Sequence, residues 1–156
     1  MDFNLSGLSS AKRSLESERV KVLILGAGPA GMSAALYAAR AELAPVVLTG
    51  TALGGQASLT HVIENYPGFP EGVGGLELGE LFQKQAERFG ARFEFDTATS
   101  VDLSKRPFTV KTYSKEYLAD VVILTTGASP NHLQIPGETE LTGKGVSYCA
   151  TCDGWF

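Results

Sequence analysis

The feature that most constrains the fold is a glycine-rich turn between a short apolar run and an alanine-rich segment. Residues 20–25 (VKVLIL) are mostly β-branched or apolar, which is typical of a parallel strand covered on both faces. The turn GAGPAG follows at residues 26–31, and the alanine-rich residues 32–40 are predicted to be helical. With a second buried strand at residues 45–48, this order predicts a βαβ unit of the dinucleotide-binding type.

Each glycine of this turn has a physical reason to be there. Gly26 allows the tight turn, Gly28 lets the backbone approach a pyrophosphate, and Gly31 lets helix and strand pack closely. The turn, which includes Pro29 and Ala30, leads into the helix, whose unpaired N–H groups and positive dipole end attract an anion. The turn therefore predicts a dinucleotide site, and the alternative is a glycine-rich turn that binds no ligand.

The end of the second strand bears on which dinucleotide is bound. An acidic residue that binds the ribose is expected about 20 residues after the turn. Here Thr49 and Gly50 occupy that place, with neither an acid nor an arginine beside them. The missing arginine argues against a 2′-phosphate, and hence against NADP at this site. The missing acid neither favours nor excludes FAD, so the prediction of FAD depends on other motifs.

Hydrophobic periodicity predicts the remaining elements. Residues 76–89 follow a helical rhythm and are followed by Gly90, a good helix stop. Alternating or apolar runs predict strands at residues 92–95, 108–113, 116–119, 121–124 and 145–148, of which the second and third form a hairpin. The predicted fold class is α/β: a Rossmann-like parallel sheet with helices and an antiparallel β-hairpin layer on one side.

Composition excludes several classes of partner. The net charge is −4 and no long Lys/Arg block occurs, so neither nucleic acid nor an anionic membrane is an expected partner. The longest apolar runs are far too short to span a bilayer. Residues 1–19 form a polar tail without the apolar core of a secretory signal, which predicts a cytoplasmic protein.

Cys149 and Cys152 are the only cysteines and have C-x-x-C spacing. Without a secretory signal a purely structural disulfide is not expected, whereas this spacing suits a reversible dithiol/disulfide couple. A zinc site is the rival interpretation, but it needs four ligands, and neither His61 nor His132 has ligand spacing to the pair, so no metal is predicted. Asp153 is either a proton shuttle for a thiolate or a carboxylate at the first turn of a helix.

Taken together, these motifs resemble the front half of a low-molecular-weight, bacterial-type thioredoxin reductase. The resemblance rests on VLILGAGPAGMSAALYAAR, TALGGQ, ENYPGFP, KRPFTV, TTGASP with IPGE, and CATCDG, in the family's order from about residue 20 onward. It implies a first segment of an FAD-binding domain at residues 20–128, a linker at 129–137, and the start of an NAD(P)H and redox-disulfide domain at 138–156.

The resemblance also implies the site residues. The expected FAD contacts are those of the glycine turn and of three further segments: Gly26, Gly28, Pro29, Ala30, Gly31, Thr49, Gly50, Gly54, Gly55, Gln56, Asn65, Thr126, Gly127 and Ala128. Cys152 is expected nearest the flavin, with Cys149 as its disulfide partner and Asp153 as the acid/base. The implied activity is thioredoxin-disulfide reductase, with electrons passing from NADPH through FAD and the cysteine pair to thioredoxin or a similar small dithiol protein, in a homodimer.

Two departures from the family pattern qualify this expectation. Thr125 stands where alanine is commoner, which is expected to have little effect. The family's NADPH site is expected beyond residue 156, so the chain resembles a fragment that is incomplete relative to the family and inactive alone. The alternatives are a relative that takes electrons from ferredoxin or another flavin instead of NADPH, and a truncated flavin-binding module without catalytic activity.

Overall fold

The computed structural model describes residues 15–150, which form a mixed β-sheet with helices packed on one face. The strands are β1 (Glu16–Leu25), β2 (Val46–Leu48), β3 (Arg92–Glu94), β4 (Ala98–Asp102), β5 (Phe108–Thr112) and β6 (Lys115–Leu124). The helices are α1 (Pro29–Arg40), α2 (Gly75–Glu87) and the short α3 (Glu138–Leu141), with a 3-10 helix at Gly55–Leu59. The spatial order β3-β2-β1-β6-β5-β4 confirms the predicted α/β class.

The parallel and antiparallel parts of the sheet meet at β6. This strand pairs in parallel with β1 over its whole length and antiparallel with β5 over its first half. The separate strands predicted at residues 116–119 and 121–124 are therefore wrong, because they form one continuous strand. Asp120 lies between the two predicted strands and accepts a hydrogen bond from Arg19 at 2.9 Å across the β1–β6 pair.

Alternating side chains of the parallel strands build two apolar layers. Val22, Ile24 and Val47 face α1 and α2, where Met32, Ala35 and Ala86 complete one core. On the opposite face, a second core joins the parallel strands to the antiparallel part: Leu23, Leu25, Val46, Leu48, Val110, Tyr117 and Ala119. The predicted antiparallel layer on one side is thus confirmed, and it is hydrogen-bonded into the same sheet.

β1 begins at Glu16, so the prediction that residues 1–19 are a polar tail is wrong for its last four residues. The reason is long-range pairing, since Glu16 to Arg19 lie in register with Lys115 to Leu118 of β6. The Glu18 carboxylate also bonds Arg92 and lies 3.3 Å from Nζ of Lys115. The rest of the predicted tail, residues 1–14, lies outside the described residues.

Other boundaries differ for local reasons. α1 begins three residues earlier than predicted because Pro29 suits the first helical position. β4 was not predicted, since its side chains are mostly exposed and show no apolar alternation. The strand predicted at 145–148 is wrong: Val146 makes only an isolated bridge to Thr142 around the turn at Gly143. Within residues 15–150, no helix is long and apolar enough to cross a bilayer.

Candidate functional site

The glycine-rich turn connects β1 to α1, and two of its three glycines leave no room for a side chain. Gly26 has a φ of +112°, and a Cβ there would lie 2.3 Å from the carbonyl oxygen of Thr125. A Cβ on Gly31 would lie 1.9 Å from the carbonyl oxygen of Gly26. At Gly28 the nearest atom beyond its chain neighbours would be the Cα of Gly55, at 4.0 Å. Packing within the protein therefore demands glycine at 26 and 31 but not at 28.

Backbone hydrogen bonds from two neighbouring segments hold the turn in place. The N–H of Gly26 donates to the carbonyl oxygen of Leu48 at the end of β2, at 2.9 Å. The N–H of Gly54 donates to the carbonyl oxygen of Ala27, also at 2.9 Å. The predicted contact loop after β2 is thereby joined directly to the glycine turn.

Thr125 holds the turn from the opposite side. Its hydroxyl lies 3.0 Å from the carbonyl oxygens of both Leu25 and Gly26, and its N–H donates to Leu25 at 3.0 Å. Because the C=O and N–H of a trans peptide point in opposite directions, holding the Gly26 carbonyl also orients the N–H of Ala27. The expectation that threonine here has little effect missed this contact, which only the pairing of β6 with β1 creates.

The N-terminus of α1 suits an anion. Gly28 is the N-cap residue and offers no side chain to satisfy the first N–H groups of the helix. Pro29 is the first helical residue, and no acidic side chain lies in the first turn. The positive end of the helix dipole is therefore uncompensated by side chains of this turn. These residues fit the pyrophosphate of a dinucleotide. The cofactor contacts of Gly26, Gly28, Pro29, Ala30 and Gly31 stay predictions.

Thr49 and Gly50 lie at the carboxyl end of β2, next to the glycine turn. Thr49 is buried, and the N–H of Gly50 donates to the carbonyl oxygen of Asp96 at 3.1 Å. The Asp96 side chain does not take the place of the missing ribose acid, since it bonds the N–H of Thr97 at 2.7 Å and the N–H of Ser114 at 3.1 Å. Burial raises the pKa of Asp96, but the hydrogen bonds, led by the one from the Ser114 hydroxyl, outweigh it and lower the pKa to about 2.

The loop predicted to wrap the flavin forms part of a 3-10 helix. Gly54 and Gly55 both have positive φ, at +84° and +59°, and a Cβ on Gly55 would lie 3.1 Å from the Cα of Gly28. Gln56 is exposed in the first turn of the 3-10 helix. Asn65 lies in a separate loop, residues 64–70, which lines a cavity of about 330 Å³.

Thr126, Gly127 and Ala128 follow β6 as exposed residues at the same edge of the sheet as the glycine turn. Gly127 has a φ of +67°, and an added Cβ on Gly26 would lie 3.3 Å from the Cα of Thr126. The structure therefore brings this turn beside the glycine turn. Their roles as cofactor contacts stay predictions.

The cysteine segment is described only in part. Cys149 is disulfide-bonded and partly buried, and its N–H donates to Oγ of Ser147 at 3.1 Å. Cys152 and Asp153 lie outside the described residues, as does the helix predicted to begin there. Among residues 15–150, no group of three or more His, Cys, Asp and Glu side chains is arranged to hold a metal ion.

The chain is similar in sequence to known proteins over most of its length. A sequence model of the family "Pyridine nucleotide-disulphide oxidoreductase" matches residues 20–156. Thioredoxin reductase of Vibrio cholerae is 52% identical over 136 residues, which cover 87% of this chain and 43% of that protein.

Two solved structures are similar in sequence and fold. Thioredoxin reductase from Giardia duodenalis has a TM-score of 0.79 and 39% identity, over 88% of this chain and 45% of that one. A ferredoxin-flavin thioredoxin reductase from Clostridium acetobutylicum has a TM-score of 0.65 and 33% identity, over 88% and 48%. The chain thus spans less than half the length of these relatives. Because the family model matches all but the first 19 residues, the chain belongs to the pyridine nucleotide-disulphide oxidoreductase family.

Proposed function

We propose that this chain carries the FAD-binding and disulfide-bearing parts of a cytoplasmic, homodimeric thioredoxin reductase that uses NADPH. The observation that carries the proposal is the uncapped, acid-free N-terminus of α1, held in a glycine turn, on the same chain as a disulfide-bonded Cys149. The similarity to named thioredoxin reductases supports thioredoxin as the acceptor. The family's name supports a nicotinamide donor and a disulfide, and FAD and NADPH are the cofactors that the resemblance implies.

The residues of the chain would hold FAD at the carboxyl edge of the sheet. The N–H groups at the start of α1 would bind the pyrophosphate, and the absence of a Cβ at Gly28 would allow its close approach. Thr49, the Gly54 to Gln56 loop, Asn65 and the turn after β6 would line the remainder of the cofactor. When bound, FAD would supply two-electron transfer between the nicotinamide donor and the disulfide.

The cysteine pair performs the protein-side chemistry. Two electrons and two protons convert the Cys149–Cys152 disulfide to two thiols. One of them, as a thiolate, then attacks a sulfur of the thioredoxin disulfide and forms a mixed disulfide. The second thiol resolves that bond, which restores the original disulfide and releases reduced thioredoxin. Asp153 would move the proton to or from the leaving sulfur.

Two half-reactions test the proposal on the chain itself. The purified chain is expected to bind FAD, as shown by oxidised-flavin absorbance that stays with the protein through gel filtration. After reduction of its disulfide with dithiothreitol and removal of excess reagent, it is expected to reduce thioredoxin in a single turnover. Cys149→Ser should abolish this transfer and leave FAD binding unchanged. Transfer that survives the substitution would overturn the mechanism, and failure to bind FAD would overturn the cofactor assignment.

A second candidate differs only in the electron donor. The similarity to a ferredoxin-flavin thioredoxin reductase makes reduced ferredoxin the alternative to NADPH. The two donors are separated by which of them bleaches the oxidised-flavin absorbance of the whole flavin-loaded reductase under anaerobic conditions.

A further inference from the structure

Glu138, the first residue of α3, is the one buried carboxylate within residues 15–150, with 5% of its surface exposed. It accepts hydrogen bonds from the N–H of Leu133 at 2.9 Å and of Gln134 at 2.7 Å, both in the predicted linker. It also accepts a hydrogen bond from the hydroxyl of Tyr148 at 2.5 Å. One carboxylate therefore joins the linker to the residue that directly precedes Cys149.

His132 completes this cluster. Its Nδ1 lies 2.7 Å from the Tyr148 hydroxyl oxygen, and the two rings meet edge to face with centroids 5.0 Å apart. Because the Tyr148 hydroxyl donates its only proton to Glu138, Nδ1 of His132 carries the hydrogen and donates it to Tyr148. The Tyr148 hydroxyl and the linker N–H groups lower the pKa of Glu138 to about 2, so the acceptor at the centre is ionised at neutral pH.

We propose that Glu138 is a positioning residue for the Cys149 disulfide, acting through Tyr148. The inference rests on the proposed redox role of Cys149 but not on flavin or NADPH. A side chain anchored by two hydrogen bonds restricts the backbone next to the cysteine in the dithiol form as well as in the disulfide. A restricted dithiol loses less conformational entropy when it closes, so the anchor raises the effective concentration of one thiol at the other and favours the disulfide.

The test is the equilibrium between the disulfide and dithiothreitol. Reduction breaks the sulfur–sulfur bond and forms two thiols, while dithiothreitol gives up two electrons and two protons and closes into its cyclic disulfide. The 156-residue chain is equilibrated without oxygen in graded mixtures of reduced and oxidised dithiothreitol, then alkylated and weighed by mass spectrometry. Tyr148→Phe removes only the hydroxyl, and Glu138→Gln removes the charge at nearly constant size.

Each substitution is expected to lower the preference for the disulfide about tenfold, which raises the midpoint potential by about 30 mV for a two-electron couple. The double variant should shift no further than Tyr148→Phe alone, because both substitutions act on the same Tyr148–Glu138 contact, which Glu138→Gln weakens and Tyr148→Phe removes. Tyr113→Phe, at an exposed tyrosine in the β5–β6 turn, is the control and should keep the wild-type midpoint.

A wild-type midpoint in Tyr148→Phe overturns the proposal. If Tyr148→Phe raises the midpoint but also melts at a lower temperature than the wild type, the result of Glu138→Gln decides. A raised midpoint in Glu138→Gln supports the positioning role, and a wild-type midpoint rejects it. This outcome is independent of the proposed function, since failure to bind FAD or to reduce thioredoxin would leave the dithiothreitol equilibrium measurable.

Discussion

The two parts of the described chain are held together by different forces. The buried hydrophobic side chains run from Val20 to Ala119 and fill both faces of the sheet. In residues 129–150 the buried side chain is instead a carboxylate, Glu138, while Leu133, Ile135 and Leu141 are exposed. The first part is stabilised by apolar burial, which is insensitive to pH, and the second by hydrogen bonds to a charge.

This difference suits the proposed roles of the two parts. A cradle for a cofactor must keep its shape, and the glycine turn does so because steric exclusion leaves it few alternatives. A segment that carries a reactive disulfide must keep its two sulfurs close whether the bond is open or closed, and hydrogen bonds to one ionised group can anchor it without a packed core. Substitutions in the two parts should therefore have different consequences for folding, cofactor binding and acid sensitivity.

Gly31→Ala should damage the first part most. Its Cβ would lie 1.9 Å from the carbonyl oxygen of Gly26 and 2.8 Å from Oγ1 of Thr125, so the turn must move away from β1. The expected loss is about 3 kcal/mol in the free energy of unfolding, which lowers Tm by roughly 6 to 12 °C in a domain of this size. Thermal melts followed by circular dichroism measure it, and an unchanged Tm would contradict the described packing.

Gly28→Ala is the matched substitution that separates folding from binding. The added Cβ would meet only the Cα of Gly55 at 4.0 Å, and the φ of −76° at Gly28 suits alanine. Tm should therefore stay at the wild-type value. A methyl group between the turn and a phosphate would break a hydrogen bond to a charged group, which should weaken FAD binding about tenfold to a hundredfold in a flavin titration. Wild-type affinity would place the cofactor elsewhere.

Acid should destabilise the two parts of the chain by protonating a different carboxylate in each. The pKa of Glu138 is lowered from 4.5 to about 2, and that of Asp96 from 3.8 to about 2. A carboxyl group whose pKa is lowered by folding stabilises the folded state above its unfolded pKa, and this stabilisation is lost as the pH falls toward 2. Hydrogen-exchange protection factors, which compare the observed rate with the intrinsic rate at the same pH, should therefore fall over this range in residues 129–150 and in the antiparallel layer.

Neutral variants assign the two acid effects. Glu138→Gln should abolish the acid dependence of hydrogen exchange in residues 129–150 and leave it unchanged elsewhere. Asp96→Asn should abolish the acid dependence around the β5–β6 turn and leave it unchanged in residues 129–150. If either variant changed the acid response of both regions, the two parts would not be independent, and the contrast between them would fail.

Thr125→Val should give the smallest effect. Valine keeps the shape of the side chain but removes the hydroxyl that lies 3.0 Å from the carbonyl oxygen of Gly26. Loss of one neutral hydrogen bond, worth about 0.5–1.5 kcal/mol, should weaken FAD binding twofold to tenfold. Thr125→Ser should restore the affinity. If serine behaves like valine, the hydroxyl does not support the turn.

The elements that sequence analysis predicted well are those whose signal is local. The glycine turn, α2 and the strands β2 and β3 follow from side-chain periodicity and from residues that punctuate the chain, such as Gly90 with its φ of +97°. The elements it missed or divided depend on distant partners. β4 has an exposed, irregular pattern and is ordered by pairing with β5. β6 is continuous because β1 pairs along its whole length.

Sterics and hydrophobic period act between near neighbours along the chain, so the amino-acid sequence alone was enough to specify the α/β class, the position of the glycine turn and the spacing of the cysteines. Three contacts depend instead on how distant segments meet in space: Thr125 braces Gly26, Asp96 bonds the β5–β6 turn, and Glu138 holds Tyr148 beside Cys149. The physical reason is that a hydrogen bond depends on distances of a few tenths of an ångström. Strand order and loop closure set those distances, and neither is encoded in the spacing of the residues concerned.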